Sequence, residues 1–381
     1  MPVAVVPLVD APWDVAGRRV VVTGSTQGLG RETARQLAAR GAHVVLACRD
    51  LKRAEAVAEE IRQQHPGAQV EVGPQLDLGS LESVRRFAAA YKKKHRELHV
   101  LVNNAGTNYL ERWFTPEGVG GLCQVNYLGP YTLTRLLEDT LQASAPSRVV
   151  NVSSVTHRFG WVGDVAGFLA SWRPGSYYPS TKLANALFAF ELQRRLGEQG
   201  VQSCAVDPGG VASNIWSNSA FARPPLSWVI GNLYAPPSDG AAAVVHAASV
   251  PWGRERRAAA AITAKWGGAA TPSARAQALP DLRFYARGLF ASPAVTSWRG
   301  VPRRRDTLDK IRSRLWGLTA LAASLLDWPL RNLSGGRLLS TTRVVPAAPL
   351  AYDANLAAQL WDLSADATQV PRQPRLLANG K

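Results

Sequence analysis

Cysteine is scarce: the 381 residues hold three, Cys48, Cys123 and Cys204, with no C-x-x-C and no paired spacing. Each falls in or beside an apolar run, which predicts buried reduced thiols, argues against a disulfide framework and implies a reducing compartment. The six histidines form no metal-ligand cluster, so no metal site is expected. No run of eighteen apolar residues occurs, and no membrane-spanning helix is predicted. The stretch from Met1 to Ala16 carries no cationic flank, and Pro2, Pro7 and Pro12 interrupt any helix there, so no signal peptide is read. These absences predict an intracellular protein, cytoplasmic or resting on a membrane surface. Acidic residues are also few, 28 against 44 Lys and Arg, for a net charge of +16. The imbalance is local: sixteen Lys/Arg face five Asp/Glu between Trp252 and Ser340, which supplies +11 of it. The remainder is ordinary in charge. A nucleic-acid-binding body is therefore not expected, whereas a basic insertion that meets something anionic is.

What the chain does contain is ample apolar material, 46% of its residues, enough for a buried core. It also contains one stretch around which the rest is organised, Val20-Val21-Val22-Thr23-Gly24-Ser25-Thr26-Gln27-Gly28-Leu29-Gly30-Arg31. A β-branched run stops at a glycine turn and a helical pattern starts at once. That geometry presents free backbone N–H groups and a helix N-terminus to a phosphate. Gly24 permits the turn, Gly28 admits the backbone to a pyrophosphate, and Gly30 lets the helix pack closely on the sheet. Alone, the spacing also fits an ordinary glycine-rich loop.

Strands are predicted over 18–23, 42–47, 69–72, 98–102, 148–152 and 201–206, with helices over 28–39 and 51–64, after a Ser80 N-cap, from 122 to 141, and over 178–195. Six alternations of this kind predict an α/β fold: a doubly wound parallel sheet of Rossmann type, with ligands bound beyond the carboxyl ends of the strands. Thr23, Asp77, Asn103, Ser154 and Pro208 all fall at such ends. The second strand closes on Cys48-Arg49 instead of an acidic residue, which suits a 2′-phosphate; the same residues also read as a solvated Arg49-Asp50 pair opening the next helix. Tyr178 and Lys182 lie four apart on one helix face, about 6 Å along the axis. An ammonium there is expected to pull the phenol below its free pKa of about 10 and fit it for proton exchange with an oxygen whose carbon exchanges hydride.

Taken together, Thr23-Gly24-x-x-x-Gly28-x-Gly30, Asn103-Asn104-Ala105-Gly106, Asn126, Ser154, Tyr178-x-x-x-Lys182 and Pro208-Gly209 resemble the short-chain dehydrogenase/reductase superfamily, over about residues 15 to 250. The runs 98–106, 126–129 and 182–185 are similar to its retinol-dehydrogenase-like branch. The resemblance implies Tyr178 as acid/base, Lys182 as the residue that lowers its pKa and bonds the nicotinamide ribose, and Ser154 as the group orienting the substrate oxygen. It implies that Asn126 holds a water linking Lys182 to bulk solvent. Ser25, Gln27, Leu29 and Leu78 are expected along the NADP(H) site with Thr23 and the three glycines. Asp77 is expected at the adenine, Arg49 at the 2′-phosphate, and Asn103, Ala105, Gly106, Pro208 and Gly209 along the remaining wall.

The domain reading is 15–250 as the catalytic unit, 251–335 as a basic insertion, and 336–381 as the last strand (near 336–339), a helix over 352–361 and a tail. Within the insertion, Arg303-Arg304-Arg305 precede an amphipathic run, and 303–326 is read as a peripheral membrane contact, as a helix covering the substrate cleft or as part of a partly disordered insertion. The expected activity is NADP(H)-dependent interconversion of a lipophilic alcohol (retinoid-, steroid- or isoprenoid-like) and its aldehyde or ketone. Ile215, Trp216, Phe221 and Trp228 are expected on the substrate side. An NADP(H)-binding regulatory or scaffold protein is the alternative, and a homo-oligomer is an allowed state.

Overall fold

Short runs of two to seven residues, most of them rich in valine, become the strands of one sheet. They are β1 (Arg19–Thr23), β2 (His43–Ala47), β3 (Val70–Val72), β4 (Val100–Asn103), β5 (Ser147–Val152), β6 (Val201–Asp207), β7 (Arg283–Ala286) and β8 (Arg343–Val344). The sheet order is β3-β2-β1-β4-β5-β6-β7-β8, parallel through β7, with β8 antiparallel at the edge. The computed structural model describes residues 13–108, 113–116, 118–170, 177–213, 215, 234–251, 283–286, 343–344, 347 and 349–374.

Alternate residues of each strand face opposite sides, so a sheet covered on both faces has two cores. Val20, Val22, Val44, Leu46, Val100 and Val102 join one core, under α1 (Gly28–Ala38), α2 (Leu51–Gln64) and α8 (Pro237–Ser249). Val21, Val45, Leu101 and Val149 join the other, under α3 (Leu81–Lys94), α4 (Gly129–Leu136), α7 (Tyr177–Leu196) and α9 (Ala354–Thr368). The short helices α5 (Glu138–Ala143) and α6 (Val165–Ala170) also lie among the described residues. Helix α7 is the most enclosed: Leu183, Ala184, Ala186, Leu187, Ala189 and Phe190 have no exposed surface. It lies between the sheet and α9, which explains why its apolar residues run all round it.

Local chemistry sets the helix starts. Asp50 accepts the Arg53 N–H at 3.0 Å to cap α2, and Ser80 accepts the Ser83 N–H at 3.2 Å to cap α3. At the amino end of the described chain, the Trp13 indole donates to the Ala248 carbonyl at 2.7 Å. The buried Arg148 guanidinium lies 4.5 Å from the Trp13 ring and donates to Ala247 and Val250.

Three expectations change. The continuous helix expected to run on to Leu141 is divided: a turn at Gly121–Cys123, a π-helical turn at Gln124–Leu128, then α4 and α5. The carboxyl-terminal helix runs over Ala354–Thr368, not over 352–361. The strand that pairs in parallel with β6 is Arg283–Ala286, inside the stretch read as an insertion; the strand expected near 336–339 lies outside the described residues. All three cysteines are buried and unbridged.

Candidate active site

The strand ends and the turns after them enclose a crevice of about 630 Å³. At its floor, Thr23 closes β1 and is wholly buried. Its hydroxyl oxygen accepts the N–H groups of Asn104 and Ala105, each at 3.0 Å, which ties the glycine turn to the end of β4. Gly24 has φ +65°, and a Cβ on it would stand 2.9 Å from Ala105. Gly28 has φ +54°, so neither position tolerates a side chain. The first helical residues, Gly28, Leu29 and Gly30, line the crevice with Gln27. This cradle of backbone at a helix N-terminus fits a diphosphate.

Along the wall stand Cys48, Arg49, Asp50 and Arg53, then Asp77 and Leu78. Asp77 accepts the Gly79 N–H at 2.8 Å, and its own N–H donates to the Ser83 hydroxyl at 3.0 Å, which holds the turn after β3 open to the crevice. Arg53 pairs with Asp50 at 3.3 Å, both well exposed, so the pair contributes little to stability.

Ser154, Tyr178 and Lys182 line the opposite end with Ala105, Gly106, Pro208 and Gly209. Ser154 caps a 3₁₀ turn over Val155–Phe159 and keeps part of its surface open. Its neighbour Ser153 is 2% exposed and donates to the Lys182 carbonyl at 2.8 Å, a brace between β5 and α7. Lys182 is itself buried; its ammonium donates to the Val152 carbonyl at 3.0 Å and lies 5.5 Å from the Tyr178 ring centroid. Asn126 sits in the π-helical turn, a local widening that recurs at functional sites. Its amide is locked on Thr107: the Thr107 N–H donates to Oδ1 at 2.7 Å and Nδ2 donates to the Thr107 carbonyl at 2.9 Å. A Cβ on Gly106 would lie 3.3 Å from Lys182 Nζ and 3.4 Å from Asn126 Oδ1, so the glycine keeps the space between these two groups open.

Burial pushes the Tyr178 phenol up from its ordinary value, with Asp207 and then Tyr234 adding in the same direction. Burial pushes Lys182 down to about 8. The direction at Tyr178 is the reverse of the sequence expectation. Removing a phenolate from water costs more than an ammonium 5.5 Å away, itself desolvated, returns.

Several expected site residues lie one layer back from the crevice. Thr23 and Asn126 act as described above. Ser25 is buried with its hydroxyl 3.1 Å from the Cys48 thiol. Asn103 turns its amide away, donating to Thr134 and Asn151 at 3.0 Å each, and Asn104 lines the crevice in its place. Arg53 is not singled out from sequence, although it follows Arg49 by four residues, and Asn104 is part of the 103–106 motif without a role of its own. Ile215 lines the crevice, whereas Trp216, Phe221 and Trp228 lie outside the described residues.

A parallel sheet in this order, with a glycine turn after its first strand and a Ser, Tyr and Lys set across the crevice, defines a dinucleotide-binding protein of the Rossmann type. The chain belongs to the short chain dehydrogenase family, whose sequence profile matches residues 18–222, and with it to the oxidoreductases of alcohol and carbonyl groups. Human retinol dehydrogenase 11 is 42% identical over 234 residues, covering 61% of this chain and 73% of that protein. Human retinol dehydrogenase 12 is 44% identical, covering 54% and 65%. The human WW domain-containing oxidoreductase is 41% identical, covering 62% and 59%. Among solved structures, a putative uncharacterized protein from Mycobacterium paratuberculosis superimposes with a TM-score of 0.60 at 28% identity, covering 97% of this chain and 98% of that one. A putative NAD(P)-dependent gluconate 5-dehydrogenase from Beutenbergia cavernae with bound NADP gives 0.52 at 27% identity, covering 64% and 94%. Among the described residues no helix is long and apolar enough to cross a membrane, and no His, Cys, Asp and Glu group is placed to hold a metal ion.

Proposed function

We propose that the chain is an NADP(H)-dependent oxidoreductase interconverting a lipophilic alcohol with its aldehyde or ketone, with Tyr178 as acid/base. The observation that carries this reading is the placement of Ser154, Tyr178 and Lys182 on one crevice with the glycine turn. A nicotinamide dinucleotide supplies or accepts the hydride when bound. The turn from Gly24 to Gly30 and the first N–H groups of α1 hold its diphosphate, and Asp77 and Leu78 flank its adenine. Tyr178 passes a proton to or from the substrate oxygen, Ser154 holds that oxygen, and the Lys182 charge favours the phenolate. Asn126 and Lys182 flank the open space at Gly106, the route by which water renews the proton.

Support for NADP(H) over NAD(H) comes from two arginines, Arg49 and Arg53, on the wall after β2, where the residue that follows the strand is Cys48 and not a carboxylate. Support for a lipophilic substrate comes from the retinol dehydrogenases among the relatives and from Val211 and Ile215 in the lining. The proposed catalytic unit is 15–250, with β7 (Arg283–Ala286) and the segment from 336 on completing it. The proposed membrane contact through 303–326 concerns residues outside those described. Turnover of all-trans-retinal, decanal, a 3-ketosteroid and benzaldehyde, with NADPH and NADH in parallel, tests the reading. Reduction of at least one, faster with NADPH, is expected. NADPH binding without any turnover would leave a nucleotide-sensing protein instead, and equal rates with both nucleotides would remove the role given to Arg49.

A further inference from the structure

We infer that Thr156 is a positioning residue that makes the Ser154 hydroxyl a donor only, a deepening that rests on the function proposed above. A hydroxyl oxygen has two acceptor sites and one hydrogen. Thr156 takes both acceptor sites of Ser154: its backbone N–H donates to Ser154 Oγ at 3.3 Å and its own hydroxyl donates to the same oxygen at 3.1 Å. The single hydrogen left on Ser154 is then directed into the crevice that Ser154 lines, at the place a substrate oxygen would occupy.

The turn that carries Thr156 is held from both ends. The Ser154 carbonyl accepts the His157 N–H at 3.0 Å and contacts His157 Nδ1 at 2.6 Å. His157 has no exposed surface, and burial, helped by the neighbouring Arg158 charge, keeps its ring neutral, so Nδ1 carries the hydrogen that this carbonyl accepts. Beyond it, Gly160 closes the turn with an N–H bond to the His157 carbonyl at 3.1 Å. A Cβ on Gly160 would stand 2.9 Å from Leu183 of α7, so the turn lies directly against the helix that bears Tyr178 and Lys182. Thr156 therefore has little freedom to swing off Ser154.

The consequence is a division of labour. Ser154 has no acceptor site left for a proton, so it donates to the substrate oxygen in both directions and keeps its hydrogen throughout. In reduction, as hydride reaches the carbonyl carbon, the O–H bond of Tyr178 breaks and its proton forms the new substrate O–H. In oxidation the same proton returns to Tyr178.

The test begins with wild-type reduction of decanal and all-trans-retinal by NADPH. If neither is reduced, the 3-ketosteroid and benzaldehyde take their place, and if none of the four is reduced the proposed function falls, and this inference with it. Given turnover, Thr156→Val keeps the N–H and the shape but removes the hydroxyl donor. It should lower kcat about tenfold per bound NADPH, and Thr156→Ser should restore it to within about twofold. NADPH affinity and stoichiometry, followed by nicotinamide fluorescence, should not change in either variant. Because Thr156 acts through Ser154, Thr156→Val should cost nothing further on a Ser154→Ala background. A Thr156→Val protein as fast as wild type, or one no faster after restoration to Ser, overturns the inference. So does a loss that repeats undiminished on the Ser154→Ala background. Should Ser154→Ala fall below detection, the comparison of Val with Ser at 156 decides alone.

Discussion

Tyr178 and Lys182 enter catalysis from unpromising ground: burial opposes the charged form of each. Reduction needs a protonated phenol and a charged ammonium. Lys182 titrates at about 8, so kcat/KM for carbonyl reduction should be level below pH 7 and fall above about 8 as that charge is lost. A profile level to pH 10 would contradict this. Replacing Tyr178 with Phe should abolish turnover while NADPH affinity stays nearly intact; retained turnover refutes its role. Gly106→Ala places a methyl 3.3 Å from Lys182 Nζ and 3.4 Å from Asn126 Oδ1, contacts close enough to fill the space without clashing badly. Melting temperature should change little while turnover drops at least about tenfold, since proton exchange is the step obstructed. Unchanged turnover would show that proton renewal takes another path. At this level the sequence was informative about residue type and less so about orientation. Asn103 and Asn104 are chemically identical neighbours, and only the Thr134 and Asn151 partners turn Asn103 away from the crevice.

Helix α9 shows how packing decides what pattern cannot. Trp361, 1% exposed, lies between two guanidinium groups, Arg135 at 4.3 Å and Arg195 at 4.6 Å from its ring, and meets Tyr131 edge-on at 5.5 Å. Its indole N–H donates to the Arg372 carbonyl at 2.6 Å, and the carbonyl of Trp361 accepts the Tyr131 hydroxyl at 3.0 Å. Trp361→Ala should cost about 3–5 kcal/mol in urea unfolding, because the cavity and the lost ring contacts add; a cost under 1 kcal/mol would mean that α9 is loosely docked. The pattern placed a helix here but stopped it at 361, since the residues that extend it to Thr368 are small and polar on one side. The π-helical turn at Gln124–Leu128 was equally hidden. A single residue added to a turn leaves the apolar spacing almost unaltered, and Asn126 in mid-helix was the only local sign.

For the whole molecule, alternation of apolar strands with capped helices made the doubly wound sheet readable, because each parallel strand is buried on both faces. β7 was not readable: Arg283–Ala286 has no β-branched residue, and its pairing with β6 is a long-range choice. Stability should also depend on acid. His157 is held well below its ordinary 6.5, and His95 and His99 are lowered too, all by burial first. The unfolded chain binds those protons more readily. Their contribution is therefore intact above about pH 6.5 and is lost as pH falls below it, His157 alone accounting for about 1.4 kcal/mol per pH unit. A His157→Gln protein should show a shallower loss between pH 6 and 4 in denaturant midpoints; an identical slope would place the acid sensitivity elsewhere.

One join after β6 has a practical meaning. The Ala212 N–H donates to the Ala235 carbonyl at 2.9 Å and the Ala235 N–H donates to the Gly210 carbonyl at 2.8 Å. The two ends of the intervening stretch, at Ala212 and Ala235, are thus held together. Closing such a circuit costs only slowly more as it lengthens. This makes it an exchangeable cassette: grafting in the corresponding stretch of a retinol dehydrogenase should retune substrate choice while the sheet and nucleotide cradle stay as they are.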